Sequence, residues 1–169
     1  MIANRWKWYF VVCLLFSLSL TPVAKGQFEG IDKSEICEDL PNFKLSNLSG
    51  EEVFLSDYLS EDHLLLFFWT TWCPHCRRGI KELARIISRS DQLASKIVLI
   101  NIGESQRRVR KFLSQFRNVS FNVLIDPRGE LAWDCRIIGV PTYIVINKKR
   151  KVEFYGYYLP RDYLVSPEK

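Results

Sequence analysis

No internal repeat and no low-complexity tract runs through the 169 residues, and charge of neither sign is in large excess. The formal net charge is +5, but Arg5, Lys7 and Lys25 fall within the first 26 residues, where there is no acid, so the remainder carries only +2. That is too little to argue for a nucleic-acid partner. Disorder is excluded from the other side, because 47% of residues are apolar and 14% aromatic. The length points to one domain, large enough to bury a core. Cysteine is scarce, and its five positions are 13, 37, 73, 76 and 135.

The acid-free start has the order of a secretory signal. Arg5 and Lys7 form a basic beginning, Tyr9 to Leu20 an apolar stretch, and Ala24-Lys25-Gly26 places small residues at the two positions that signal peptidase reads. Residues 1–26 are therefore expected to be a signal peptide cleaved before Gln27 or an uncleaved membrane anchor. The second alternative arises because residues 8–24 come close to the shortest stretch that crosses a bilayer. Both place the rest of the chain outside the cytoplasm, in the periplasm or an equivalent compartment. Cys13 lies too early, and without the small-residue context, for a lipoprotein cysteine.

The chemistry is concentrated in Trp72-Cys73-Pro74-His75-Cys76. An unbroken apolar run, Leu64 to Trp69, precedes it, and a stretch with helical periodicity follows, with Ile80, Leu83, Ala84 and Ile87 on one face. A buried strand that runs through C-x-x-C into a helix puts the first cysteine at the helix N-terminus, where free N–H groups stabilise a thiolate. Cys73 is the expected nucleophile. Two intervening residues let one helical turn bring Cys76 within bonding distance, so the pair can cycle between dithiol and disulfide.

Phe68-Trp69-Thr70-Thr71-Trp72-Cys73-Pro74-His75-Cys76 resembles the active site of the thioredoxin superfamily. It is most similar to the F-W-A-T-W-C-x-x-C of TlpA/ResA-like exported thiol-disulfide oxidoreductases, while the Pro-His dipeptide is that of DsbA-type oxidants. Pro41 to Asp57 is similar to the P-x-F-x-L-x-x-x-x-G-x-x-V-x-L-S-D leader of TlpA-like and peroxiredoxin-like chains. Val140-Pro141-Thr142 resembles the superfamily's second signature, which implies a cis Val140–Pro141 bond and a Val140 backbone that pairs with an extended substrate segment.

The resemblance also implies protein substrates with cysteines or disulfides, and a redox partner that recycles the pair. Disulfide handling or cytochrome c maturation would be its setting, with neither cofactor nor metal. Trp72, Pro74 and His75 would tune the pair. A protonated His75 would stabilise the Cys73 thiolate and make the protein more oxidising. Export leaves an even set of four cysteines, and some TlpA-like proteins tie their N-terminal segment to the body. Cys37 and Cys135 are then either a structural disulfide or two separate buried thiols.

The fold expected is α/β and thioredoxin-like, a central mixed β-sheet with helices on both faces and an added N-terminal β-hairpin. The domain would span residues 39–158, with 159–169 a short C-terminal tail. Leu40–Leu45 and Val53–Leu55 read as the hairpin, and Leu64–Trp69, Lys96–Ile102, Phe121–Ile125, Thr142–Ile146 and Lys151–Tyr157 as the other strands. Helices are expected from Cys73 to about Ser90, from Gln106 to Phe116 and from Leu131 to Arg136. Arg107, Arg108, Arg110 and Lys111 read as a solvated face, and His63 as a surface residue.

Two departures bear on mechanism. Thioredoxin has a carboxylate where this sequence has Phe67, and some ResA-like reductases have a glutamate where it has Gly79. Both acids are missing, which counts against a haem-maturation reductase and leaves deprotonation of Cys76 to water or to a group outside the motif. A thioredoxin-fold peroxidase is the first alternative, since Thr70-x-x-Cys73 imitates part of that signature, although Leu66 replaces its proline. The other alternative is a metal-binding module, but copper-binding relatives use C-x-x-x-C rather than this spacing.

Overall fold

The chain divides into two compact units, Met1–Ile31 and Asp32–Lys169. A computed structural model describes residues 39–59 and 63–164, all within the second unit. Both the expected signal or anchor and Cys37 lie outside the described residues. The elements in chain order are β1 (Lys44–Asn47), β2 (Glu52–Phe54), β3 (Leu64–Trp69), α1 (Pro74–Ile87), α2 (Asp91–Ser95) and β4 (Ile97–Ile102). They continue with α3 (Gln106–Leu113), β5 (Asn122–Asp126), α4 (Glu130–Asp134), β6 (Thr142–Ile146) and β7 (Val152–Gly156).

One seven-stranded sheet carries them in the order β2-β1-β5-β4-β3-β6-β7. β3, β4 and β5 are parallel, joined by crossovers through α1 and α3, while β6 returns antiparallel beside β3 and β7 pairs antiparallel with β6 at the edge. The N-terminal hairpin extends this sheet, with Ser46 opposite Ile125 and Asn47 opposite Leu124. All six β3 residues are buried, as an apolar run with no polar face requires of a strand covered on both sides.

Strand alternation divides the interior into two cores. Leu65, Phe67 and Trp69 face α1 and α3 and meet Cys76, Ile80, Leu83 and Val109. Leu64, Leu66 and Phe68 face the other way, toward Leu40, Leu55, Leu131 and Cys135. The active-site motif and Cys135 therefore belong to opposite faces of the sheet.

Several element ends differ from the sequence reading, each for a local reason. α1 stops at Ile87, and Ser90 instead caps a separate short helix, α2, its hydroxyl accepting from the Leu93 N–H. α3 ends at Leu113 rather than Phe116, where Ser114 Oγ and Gln115 Nε2 donate to the Lys111 and Phe112 carbonyls. α4 begins and ends earlier than expected, with Gly129 as its left-handed N-cap at φ 70°. β1 begins at Lys44, and Asp39 forms an isolated bridge with Lys151. Past β7, a 3-10 turn, Arg161–Tyr163, leads to Leu164, which is buried in the α1-side core. Arg107, Arg108, Arg110 and Lys111 are exposed, as a solvated face should be. Among the described residues no helix is long and apolar enough to cross a membrane.

Candidate active site

β3 ends at Trp69, and Thr70, Thr71 and Trp72 turn the chain so that Cys73 becomes the N-cap of α1. The Cys73 backbone is extended, at φ −75° and ψ 118°, and its Sγ accepts from the Cys76 N–H at 3.2 Å. Pro74 occupies the first helical turn, where its missing N–H costs nothing, and the turn contains no acid to oppose a negative sulfur. Both sulfur residues are buried, Cys73 at 5% exposed and Cys76 at 0%. Burial, followed by the hydrogen bond with Cys73, pushes the Cys76 thiol up to about 12. Cys76 therefore keeps its proton at neutral pH.

The second signature meets the first here. The Val140–Pro141 bond is cis, and Cys73 Sγ lies 3.5 Å from the Val140 carbonyl oxygen. Thr142 Oγ1 donates to the Gly139 carbonyl at 2.6 Å, bracing the loop from the start of β6. Trp72, at 62% exposed, flanks the cysteine, and Ile138 is exposed two residues before Val140. The structure thus brings Trp72, Cys73, Pro74, Cys76, Val140 and Pro141 into one place.

His75 is exposed, and its Nδ1 accepts from Arg78 Nη2 at 2.7 Å. A guanidinium can only donate, so Arg78 supplies the hydrogen of this contact. The permanent cation beside the motif is Arg78. The other histidine, His63, is a surface residue paired with Glu153 at 2.6 Å. Cys135 is buried at the end of α4, and its proposed partner Cys37 lies outside the described residues. Among the described residues there is no group of three or more His, Cys, Asp or Glu side chains that could hold a metal ion.

Glu104 escaped the sequence reading. Gly103, at φ 70°, turns the chain after β4 and sends Glu104 back beneath the motif loop. The buried Glu104 carboxylate accepts from the Thr71 N–H at 2.6 Å, from Thr71 Oγ1 at 2.6 Å and from Asn101 Nδ2 at 2.9 Å. Arg108 Nε approaches it from solvent at 3.3 Å. From the other side Arg77 Nε donates to the Thr71 carbonyl at 2.7 Å, so Thr71 is held at both ends two residues before Cys73.

The positions of the two missing acids are filled as well. Phe67 stacks on Tyr143 of β6 with ring centroids 4.6 Å apart, and a methyl group on Gly79 would overlap the Tyr143 hydroxyl.

The sequence profile of the AhpC/TSA family matches residues 36–155. The thiol-disulfide oxidoreductase ResA of Bacillus cereus is 28% identical over 150 residues, which cover 88% of this chain and 86% of that protein. ResA of Bacillus subtilis is 29% identical over 142 residues, or 84% of this chain and 78% of that one. Among solved structures, a Chlorobium tepidum protein assigned as the thiol:disulfide interchange protein DsbE superposes with a TM-score of 0.62 at 26% identity, covering 76% of this chain and 89% of that chain. StoA of Bacillus subtilis shares the fold, with a TM-score of 0.58 at 22% identity over 72% of this chain and 90% of that one.

Proposed function

We propose that this chain, which belongs to the AhpC/TSA family and is a thiol-disulfide oxidoreductase of the TlpA/ResA-like kind, works through Cys73 and Cys76 on protein cysteines outside the cytoplasm. The observation that carries the reading is the placement of Cys73 Sγ. It caps α1 and lies 3.5 Å from the Val140 carbonyl, while Cys76 waits one helical turn inside. Cys73 attacks a substrate disulfide, the Val140 backbone and the exposed Trp72 ring receive the substrate chain, and Cys76 resolves the mixed disulfide. A partner dithiol then restores the pair. The signal-like residues 1–26 support export, with residues 8–24 as the membrane attachment if the segment is retained. Cys37 and Cys135 are proposed as a structural disulfide, well separated from this chemistry because Cys135 packs on the opposite face of the sheet.

Insulin reduction with dithiothreitol as electron source tests the reading against its rivals. The protein is expected to speed insulin precipitation, while hydrogen peroxide at equal concentration leaves the free thiols of the reduced protein largely unspent. Rapid peroxide turnover without insulin reduction would favour the peroxidase alternative.

Redox poise follows from the same geometry. The references are about −270 mV for thioredoxin and about −120 mV for DsbA, and we place this protein between them. The Pro74-His75 dipeptide and the lack of a carboxylate at Phe67 both favour the reduced pair. His75→Ala is expected to shift the potential, measured by equilibration with glutathione, roughly 30 mV more negative, a tenfold change in equilibrium constant. An unchanged potential would remove His75 from the tuning set and leave Arg78 as the cation that acts on the motif.

A further inference from the structure

Resolution of the mixed disulfide requires Cys76 to lose a proton, and Cys76 is 0% exposed. Its surroundings therefore have to take that proton up. Cys76, Gly79 and Glu82 follow one another at three-residue spacing along α1, so their side-chain positions form one row. Tyr143 lies over the middle of that row. It sits opposite Phe67 in the β3–β6 register, stacks on that ring at 4.6 Å, and is only 3% exposed. Its hydroxyl occupies the space that a side chain at Gly79 would need. Glu82, at the end of the row, has a side chain 34% exposed and pairs with Arg161, so it opens to solvent.

We propose that the Tyr143 hydroxyl relays the Cys76 proton to Glu82. The proposal rests on the reading of Cys73 and Cys76 as the exchange pair. As Cys76 Sγ attacks Cys73 Sγ of the mixed disulfide, the Cys76–Cys73 bond forms. The bond from Cys73 to the substrate sulfur breaks, and the substrate leaves as a thiolate with that electron pair. The Cys76 proton passes to the Tyr143 oxygen while the phenol's own proton passes to the Glu82 carboxylate. The reverse transfer serves when the disulfide is reduced.

The titratable groups facing the phenol from α1 are Cys73, Cys76 and Glu82, while its strand neighbours, Phe67 on β3 and Gly156 on β7, do not titrate. Burial, then Glu82 and the two cysteines, all raise the phenol above its ordinary range. It therefore passes protons on without ionising. The space over Gly79 must stay free of a side chain for the hydroxyl to reach this position.

An aromatic disulfide that releases a coloured thiolate separates the steps, because Cys73 releases the first equivalent and Cys76 the second. In stopped flow, Tyr143→Phe is expected to release the first at the wild-type rate and the second about tenfold or more slowly near neutral pH. The deficit should shrink as the pH rises and Cys76 ionises without help. Glu82→Gln should slow the second phase in the same way, and combining the two variants should add little. A second phase in Tyr143→Phe that matches wild type, or a deficit independent of pH, overturns the relay. So does full additivity with Glu82→Gln. Release of the first equivalent by Cys73→Ser would instead overturn the assignment of the pair, whatever Tyr143 does.

Discussion

Cys73→Ser is expected to lower insulin reduction by roughly a thousandfold or more, equivalent to about 4 kcal/mol of transition-state stabilisation. The helix N-terminus is built to hold a negative sulfur, with the Cys76 N–H at 3.2 Å and no acid in the first turn of α1. A serine hydroxyl at this position would not ionise near neutral pH and cannot form a disulfide. Cys76→Ser is expected to fail differently. Its Cys73 still attacks, but the reaction stops at the mixed disulfide, which non-reducing electrophoresis should show as an adduct that dithiothreitol releases. Adduct formation by Cys73→Ser, or by both variants equally, would mean that the nucleophile has been assigned to the wrong sulfur. The burial difference supports the assignment, since Cys76 is the deeper thiol and is held protonated up to about 12.

The parts of this protein that were legible in its sequence are those where one local pattern had one physical outcome. Leu64 to Trp69 could only be a doubly covered strand, and Ile80, Leu83, Ala84 and Ile87 could only be the inner face of a helix. With Cys73 between them, the sulfur had to fall at the helix start. Where two local outcomes compete, the local pattern does not decide between them. Ser90 is compatible with the end of α1, but its hydroxyl caps a new helix instead, and nothing in the spacing separates those choices.

Glu104 was not legible for a different reason. It looks like any acid ahead of a basic helix, and its role exists only because parallel pairing of β3 with β4 brings Asn101 beside Trp69 and the following turn beside Thr71. The contact between Tyr143 and Gly79 is of the same kind. It joins residues 64 apart in the chain, and a small residue on the inner face of a helix carries no sign of what lies above it. Both features belong to tertiary pairing, and both sit directly behind the cysteines.

Glu104→Ala is expected to destabilise the protein by about 3 kcal/mol or more, because it strands three donors that the carboxylate now satisfies, each worth roughly 1 to 3 kcal/mol when buried without a partner. Thr71 is itself buried, so water does not readily replace the lost acceptor at its N–H and hydroxyl. Arg108, with a side chain 66% exposed, turns to solvent at little cost and offsets none of the loss. In thermal unfolding the change should lower Tm by roughly 10 °C. Glu104→Gln should cost less, since one amide oxygen still accepts, but its NH2 group must face at least one of the same donors. The damage should also reach the chemistry, because Thr71 would then be held only by Arg77, two residues from Cys73. The first thiolate released from an aromatic disulfide is expected to slow in Glu104→Ala, whereas Tyr143→Phe leaves that phase unchanged. A Glu104→Ala protein within about 1 kcal/mol of wild type in denaturant titration would show that the motif loop keeps its shape without the carboxylate beneath it.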